Sequence, residues 1–101
     1  MVEERIREFL DKLKNIEPEL VILFGSRARG DYLKSSDYDL IIVSKHFSNL
    51  DFRERIIKIY ELLDDPTNLD VLCYTPEEFE EKRKEIGIVR KALEEGIILK
   101  F

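Results

Sequence analysis

Two aspartates separated by one residue begin an apolar stretch of this chain. Asp37 and Asp39 flank Tyr38, and Leu40 and the residues after it are apolar. Because side chains alternate along a strand, the two aspartates would share one face, with their Cα atoms roughly 6.5–7 Å apart. Carboxylates this close repel each other unless a positive charge lies between them. Mg²⁺ is usually held by one or two carboxylates together with substrate phosphates, so the pair predicts a metal site.

A third aspartate, Asp70, interrupts another apolar stretch. A charge in a buried strand is costly unless it is paired or bound to a metal. If this strand neighbours that of Asp39, three carboxylates converge, which is the ligand set expected for two-metal phosphoryl or nucleotidyl transfer. The alternative for the first pair is structural: Asp37 would cap a turn and Asp39 would be a solvated residue at a strand end.

A glycine and a serine, Gly25 and Ser26, follow an apolar run ten residues before the aspartate pair. Glycine lets the backbone approach an anion closely, and amides at a helix start point toward such an anion. Arg27, Arg29 and Lys34 add local positive charge. The segment therefore predicts a phosphate-binding turn, although a strand-to-helix turn without a ligand would be compatible with the same residues.

Two better-known phosphate motifs are excluded. Gly25 and Gly30 fit the glycines of a P-loop, but Asp31 and Tyr32 stand where that motif requires Lys and then Ser or Thr. A dinucleotide-binding GxGxxG is also absent, because Arg27 takes the place of its second glycine.

Composition limits the class of protein. The chain has 101 residues, 44% hydrophobic and 39% charged, with a net charge of −5. These values predict a single globular domain over residues 1–101 with no bulk affinity for nucleic acid or anionic membranes. One cysteine, Cys73, excludes an internal disulfide, and no stretch approaches the roughly 20 apolar residues that span a bilayer. We expect a cytoplasmic protein.

The apolar pattern predicts an α/β (α+β) domain in which helices flank a small mixed sheet. Helical spacing of apolar residues indicates a first helix from Val2 to Leu13. Asp51 with Glu54, and Thr75 with Pro76 and Glu78, predict two capped helix starts, and Asp64 to Pro66 ends the first of these helices. A last helix is expected over Ile88–Glu95, stopped by Gly96. Four strands are predicted: Leu20–Phe24, Tyr38–Val43, Leu69–Tyr74 and Ile97–Leu99.

The spacing of these motifs resembles a known superfamily. Gly25-Ser26, ten residues and then Asp37-Tyr38-Asp39 is similar to the signature of DNA polymerase beta-like nucleotidyltransferases. Two segments resemble the smallest branch of this superfamily, the minimal nucleotidyltransferases: FGSRARGDYLKSSDYDLIIVS and the C-terminal ALEEGIILKF. The resemblance covers nearly the whole chain, and it implies the polymerase beta-like nucleotidyltransferase fold.

The resemblance also implies a role for each matching residue. Gly25 and Ser26 would hold the triphosphate of a nucleotide, Asp37 and Asp39 would bind two Mg²⁺ ions, and Asp70 would complete the metal site and help to activate an acceptor hydroxyl. ATP is the implied substrate. Charge alone suggests phosphate contacts for two residues of the variable stretch, Arg27 and Arg29.

The resemblance finally implies a partner, because minimal nucleotidyltransferases usually accompany HEPN-domain proteins in toxin–antitoxin pairs. The chain would then be an antitoxin that transfers AMP to a tyrosine of its partner. The shortness of the chain supports an acceptor supplied by another molecule. A second hypothesis is a non-catalytic module that binds nucleotide and neutralises its partner by contact, although three intact aspartates favour catalysis.

Three further expectations concern residues outside the motifs. His46 is expected to be an unpaired surface residue, and Cys73 a small core residue. The apolar tail, residues 97–101, could form an edge strand that pairs with a second copy of the chain.

Overall fold

The computed structural model describes residues 4–33, 36–63 and 68–99. Five α-helices lie in these ranges: α1 (Glu4–Leu13), α2 (Ser26–Arg29), α3 (Phe52–Leu62), α4 (Pro76–Lys82) and α5 (Ile88–Glu95). Four strands accompany them: β1 (Leu20–Phe24), β2 (Tyr38–Val43), β3 (Leu69–Tyr74) and β4 (Ile97–Leu99). Short 3₁₀ turns follow α1 and β2, at Lys14–Ile16 and Lys45–Phe47.

The strands form one mixed sheet in the order β3-β2-β1-β4. Strand β1 runs antiparallel to both β2 and β4, whereas β2 and β3 are parallel. The predicted fold class and the bounds of all four strands are thereby confirmed. The parallel pair is joined through α3, which matches the rule that a parallel crossover needs a long connection, usually a helix.

Both faces of the central strands are covered, which explains their continuous apolar runs. Leu40 and Ile42 of β2 face α1 and α3, and belong to the larger of two core clusters. Ile41 and Val43 face the opposite side and pack with Phe79 of α4 and with α5. Strand β2, which begins directly after Asp37 and contains Asp39, is therefore packed on both faces.

Both predicted helix caps are present. The Asp51 side chain accepts from the Glu54 amide at 2.8 Å, and the Glu54 side chain accepts from the Asp51 amide at 2.9 Å. Thr75 and Glu78 form the same reciprocal pair ahead of Pro76. These local bonds satisfy backbone donors that a helix start leaves unpaired.

Some predictions fall on parts of the chain outside the described residues: the start of the first helix at Val2, the helix stop at Asp64 to Pro66, Lys34, and the end of the apolar tail. Strand β4 does lie at an edge of the sheet, as predicted. None of the helices in the described ranges has the length and apolar character needed to cross a membrane.

The prediction for His46 is confirmed in part: the side chain is exposed, but it is not unpaired. His46 Nε2 lies 3.2 Å from Glu17 Oε1, so this histidine has an acidic neighbour from the segment before β1. The two residues are 29 positions apart, and no local pattern links them. Cys73 is 1% exposed, which confirms its place in the core.

Candidate active site

Asp39 and Asp70 are direct neighbours across the parallel pair of strands. The register of β2 and β3 aligns Tyr38 with Leu69 and Asp39 with Asp70. A hydrogen bond of 2.8 Å from the Tyr38 amide to the Asn68 carbonyl begins this ladder. The sequence predicted that the two aspartates would meet only if their strands were adjacent, and the sheet order makes them adjacent.

Asp37 lies one residue before β2, so it approaches the site from the connection rather than from the strand. Its charge nevertheless reaches Asp39. Partial burial, then the negative charges of Asp70 and Asp37, raise the pKa of Asp39 above its ordinary value of 3.8, while Arg29 acts in the opposite direction. The structure thus brings the three predicted aspartates into one electrostatic group.

Gly25 lies directly against Asp39. It follows β1 directly, with φ 74° and ψ −158°, and a Cβ atom placed on it would overlap Oδ2 of Asp39. Phe24, the residue before it, is the register partner of Asp39 across β1 and β2. Only glycine allows both this backbone conformation and this approach, so the Gly-Ser turn lies directly beside the aspartate group.

The turn continues into the one-turn helix α2. The Gly25 carbonyl accepts from the amides of Ala28 and Arg29, both at 3.1 Å, and Gly30 closes the helix in a left-handed conformation. Arg29 is exposed, with its Nε 3.4 Å from Asp31 Oδ2. Its positive charge counteracts the rise in the pKa of Asp39.

Arg27 has structural contacts that the sequence did not predict. Its Nε and Nη2 donate to the Ser36 carbonyl at 3.3 and 3.2 Å. Its guanidinium lies over the rings of Tyr32 and Tyr38, at 4.2 Å from each centroid. Arg27 therefore ties the turn to the residue before Asp37. Its predicted contact with phosphate stays a prediction.

The donor set fits a hard divalent cation, because the negative charges of Asp70 and Asp37 help to raise the pKa of Asp39 and a cation would relieve that repulsion. No three His, Cys, Asp or Glu side chains of residues 4–33, 36–63 and 68–99 are arranged as a ready-made metal cage. The metal role of Asp37, Asp39 and Asp70 stays a prediction.

The sequence of residues 3–99 matches the family described as "Nucleotidyltransferase domain". The chain belongs to this nucleotidyltransferase family. The match includes the Gly-Ser turn and the three aspartates, so the residues singled out by spacing lie within the family's own region.

Two relatives come from Methanocaldococcus jannaschii, and each is named "Putative protein adenylyltransferase". One is 35% identical over 100 residues, covering 96% of this chain and 96% of the relative. The other is 44% identical over 59 residues, covering 55% of this chain and 60% of the relative. Thus the chain spans less than two thirds of the second relative's length, while it aligns with almost all of the first.

The fold recurs in solved structures. The crystal structure of a putative nucleotidyltransferase from Sulfolobus solfataricus superposes with a TM-score of 0.57 at 21% identity, over 97% of this chain and 87% of that one. The BolA domain of SufE1 from Arabidopsis thaliana gives 0.60 at 25% identity, over 77% of this chain and 99% of that one. Since differently named proteins share this sheet and helix arrangement, the nucleotidyltransferase assignment depends on the sequence match and not on the fold alone.

Sequence reasoning did not predict a groove beside the Gly-Ser turn. Helix α5 packs beside β1 and lines a groove that begins at Gly25. More than 60 positions separate the two segments in sequence. No motif in the sequence of α5 marks it as part of a site.

Proposed function

We propose that this nucleotidyltransferase transfers AMP from ATP to a hydroxyl group of a protein, with Mg²⁺ as cofactor. The observation that carries the proposal is the alignment of Asp39 with Asp70 beside the close approach of Gly25. It places neighbouring aspartates and a glycine turn together at the ends of packed strands. A site that binds a nucleoside triphosphate for group transfer requires such a fixed arrangement.

The residues of the turn would bind the triphosphate. Gly25 provides a backbone surface without a side chain, Ser26 a hydroxyl, and Arg29 an exposed guanidinium. Arg27, which donates to the Ser36 carbonyl, would add a second guanidinium beside the turn. These groups would fix the leaving pyrophosphate so that the bond to the α-phosphorus lies opposite the incoming hydroxyl.

Asp37, Asp39 and Asp70 would hold the Mg²⁺ ions. When bound, the metal neutralises charge on the phosphate oxygens that develops during transfer. Asp70 lies in β3, at the edge of the sheet, and is exposed. This position suits a carboxylate that accepts the proton of the acceptor hydroxyl as its oxygen bonds to phosphorus and pyrophosphate leaves.

The names of the two Methanocaldococcus relatives support a protein acceptor. The resemblance to minimal nucleotidyltransferases supports a more specific assignment, in which the acceptor is a tyrosine of a HEPN-domain toxin and this chain is its antitoxin. The exposed position of Asp70 is compatible with an acceptor carried by another protein, because a large partner can approach only an open site.

The proposal is tested by labelling. Purified protein is incubated with Mg²⁺, ATP labelled at the α-phosphate and a lysate of its source cells. An Asp37→Asn/Asp39→Asn variant and a reaction with ATP labelled at the γ-phosphate serve as controls. We expect one protein band labelled from the α-phosphate only, with AMP on a tyrosine by mass spectrometry.

Each other outcome has a defined meaning. Label from the γ-phosphate would indicate phosphoryl transfer and contradict the proposal. An absence of any labelled protein would contradict a protein acceptor. If the double variant still neutralised a toxic HEPN partner in co-expression, neutralisation by contact would replace the catalytic antitoxin role.

A further inference from the structure

A small groove begins at Gly25, and neither Asp39 nor Asp70 lines it. Its volume is about 220 Å³, and Phe24, Gly25 and Arg29 form one wall. Ile88, Lys91 and Glu95 of α5 form the other. Pockets that enclose a whole small-molecule ligand usually measure about 300–1,000 Å³, so this groove has room for part of a nucleotide.

The wall formed by α5 is held firmly in place. Val89 and Ala92 are 2% and 1% exposed and pack in the core on this face of the sheet. At the end of the helix, a Cβ atom on Gly96 would overlap the Leu23 carbonyl, which shows how closely the chain meets β1. Ile88, Lys91 and Glu95 are spaced at i, i+3 and i+7, so they share the helix face beside the turn.

The groove carries two cations at its walls. Arg29 lies 3.4 Å from Asp31 but remains exposed. Lys91 is exposed and forms no salt bridge with any residue in the described parts of the chain. Glu95 is the carboxylate on the same wall. Arg29 and Lys91 thus line the same groove beside the glycine turn, in a protein whose net charge is −5.

The positions of the charged groups around the turn suggest how a nucleotide would be oriented in the groove. Asp39 contacts Gly25 from one side, and Arg29 and Lys91 line the groove that opens from the same glycine. A nucleotide with its α-phosphate at the aspartates would extend its β- and γ-phosphates over Gly25 into this groove. Positive charge on both walls would complement the phosphates.

We propose that Lys91 binds the terminal phosphates of the nucleoside triphosphate, together with Arg29. This inference rests on the proposed function, since it assigns a residue of α5 to the same substrate. It adds a binding residue from a helix that carries no recognised nucleotide motif. Ile88 would close the groove as an apolar wall.

Nucleotide binding tests the inference. Dissociation constants for ATP, ADP and AMP are measured by calorimetry with Mg²⁺ for the native protein, Lys91→Met and Lys91→Arg. Arg90→Met is the matched control, because it removes one positive charge from the adjacent position of α5, which does not line this groove. Circular dichroism checks that every variant is folded.

We expect Lys91→Met to weaken ATP binding on the order of 10-fold, as for loss of a charge-assisted hydrogen bond. AMP binding should be unchanged, and Lys91→Arg should bind ATP within about 3-fold of the native protein. Arg90→Met should bind like the native protein.

Two failures are distinguishable. If native protein binds ATP and Lys91→Met binds it equally well, or loses ATP and AMP in equal measure, the role of Lys91 is overturned while the proposed function stands. If the native protein binds none of the three nucleotides, the proposed function is refuted together with this inference.

Discussion

Gly25 and Asp39 are in such close contact that a single added methyl group on Gly25 would overlap Oδ2 of Asp39. Gly25 also has φ 74°, which an L side chain rarely adopts. Replacement by alanine should therefore displace the Asp39 carboxylate and strain the backbone.

We expect Gly25→Ala to abolish transfer and to lower the free energy of unfolding by about 1–3 kcal/mol. Gly30→Ala is the matched control, because Gly30 has φ 87° but no atom within 4 Å of its Cβ position. It should lose only about 1 kcal/mol and keep measurable activity. Equal losses in both variants, by denaturation and activity assay, would argue against the Gly25–Asp39 contact.

Asp39→Asn should stabilise the metal-free protein while it removes activity. Burial and the charges of Asp70 and Asp37 raise the pKa of Asp39 above 3.8. The folded protein then holds the proton more tightly than the unfolded chain, so ionisation of Asp39 costs stability as pH rises through this range.

The melting temperature of Asp39→Asn should exceed that of the native protein increasingly as pH rises above about 3.8, and the excess should persist at pH 7. Addition of Mg²⁺ should raise the native melting temperature and narrow the difference. Thermal denaturation in EDTA and in Mg²⁺ measures both effects. A native protein more stable than the variant in EDTA at pH 7 would contradict the repulsion between these aspartates.

Arg27→Lys should resemble Arg27→Gln in stability and in Mg²⁺ dependence, because the contacts of Arg27 depend on the shape of the guanidinium as well as on its charge. It donates twice to the Ser36 carbonyl and lies over two tyrosine rings. Lysine keeps the charge but cannot form this fork. We expect each variant to lose about 1 kcal/mol of stability and to need more Mg²⁺ for half-maximal activity, since Asp37 follows Ser36 directly. Native-like Mg²⁺ dependence in Arg27→Lys would show that only the charge matters.

Arg55→Met should be the most damaging change away from the site. The Arg55 side chain is 5% exposed and pairs with Glu78 at 2.6 Å. It also donates to the carbonyls of Phe47, Leu50 and Cys73. Removal leaves these acceptors unpaired, so we expect a loss of about 3–5 kcal/mol in chemical denaturation.

Glu78→Gln is the milder partner variant and gives a pH test. The hydrogen bond from Arg55 holds the pKa of Glu78 below its ordinary 4.5. The stability from this charge is present above pH 4.5 and is lost as pH falls through the lower folded-state value. The variant should therefore lose less stability than the native protein in that acidic window. Parallel acid unfolding curves would contradict the assignment.

Local sequence signals predicted what depends on neighbours in the chain. Apolar runs predicted the four strands. A capping residue followed three positions later by glutamate predicted the caps at Asp51 and Thr75, and both are present. The register of Asp39 with Asp70 needed the order of the strands, which no single run contains.

Contacts between distant segments were not predictable from local patterns. Arg55 and Glu78 are 23 residues apart, and an arginine in an amphipathic helix is normally exposed. The position of α5 beside Gly25 likewise depends on packing of Val89 and Ala92 against the sheet. Both features follow from tertiary structure, so composition and spacing gave no signal for them.

The central claim is metal-dependent nucleotidyl transfer by the three aspartates beside Gly25. Its most direct test measures the rate at which label from the α-phosphate of ATP is transferred to the purified acceptor protein. The enzymes compared are the native protein, Asp39→Asn and Asp70→Asn, each with Mg²⁺ or with EDTA. We predict transfer by native enzyme in Mg²⁺ only, and a loss of at least about 100-fold in both variants. Transfer by native enzyme in EDTA, or undiminished transfer by either variant, would contradict the account.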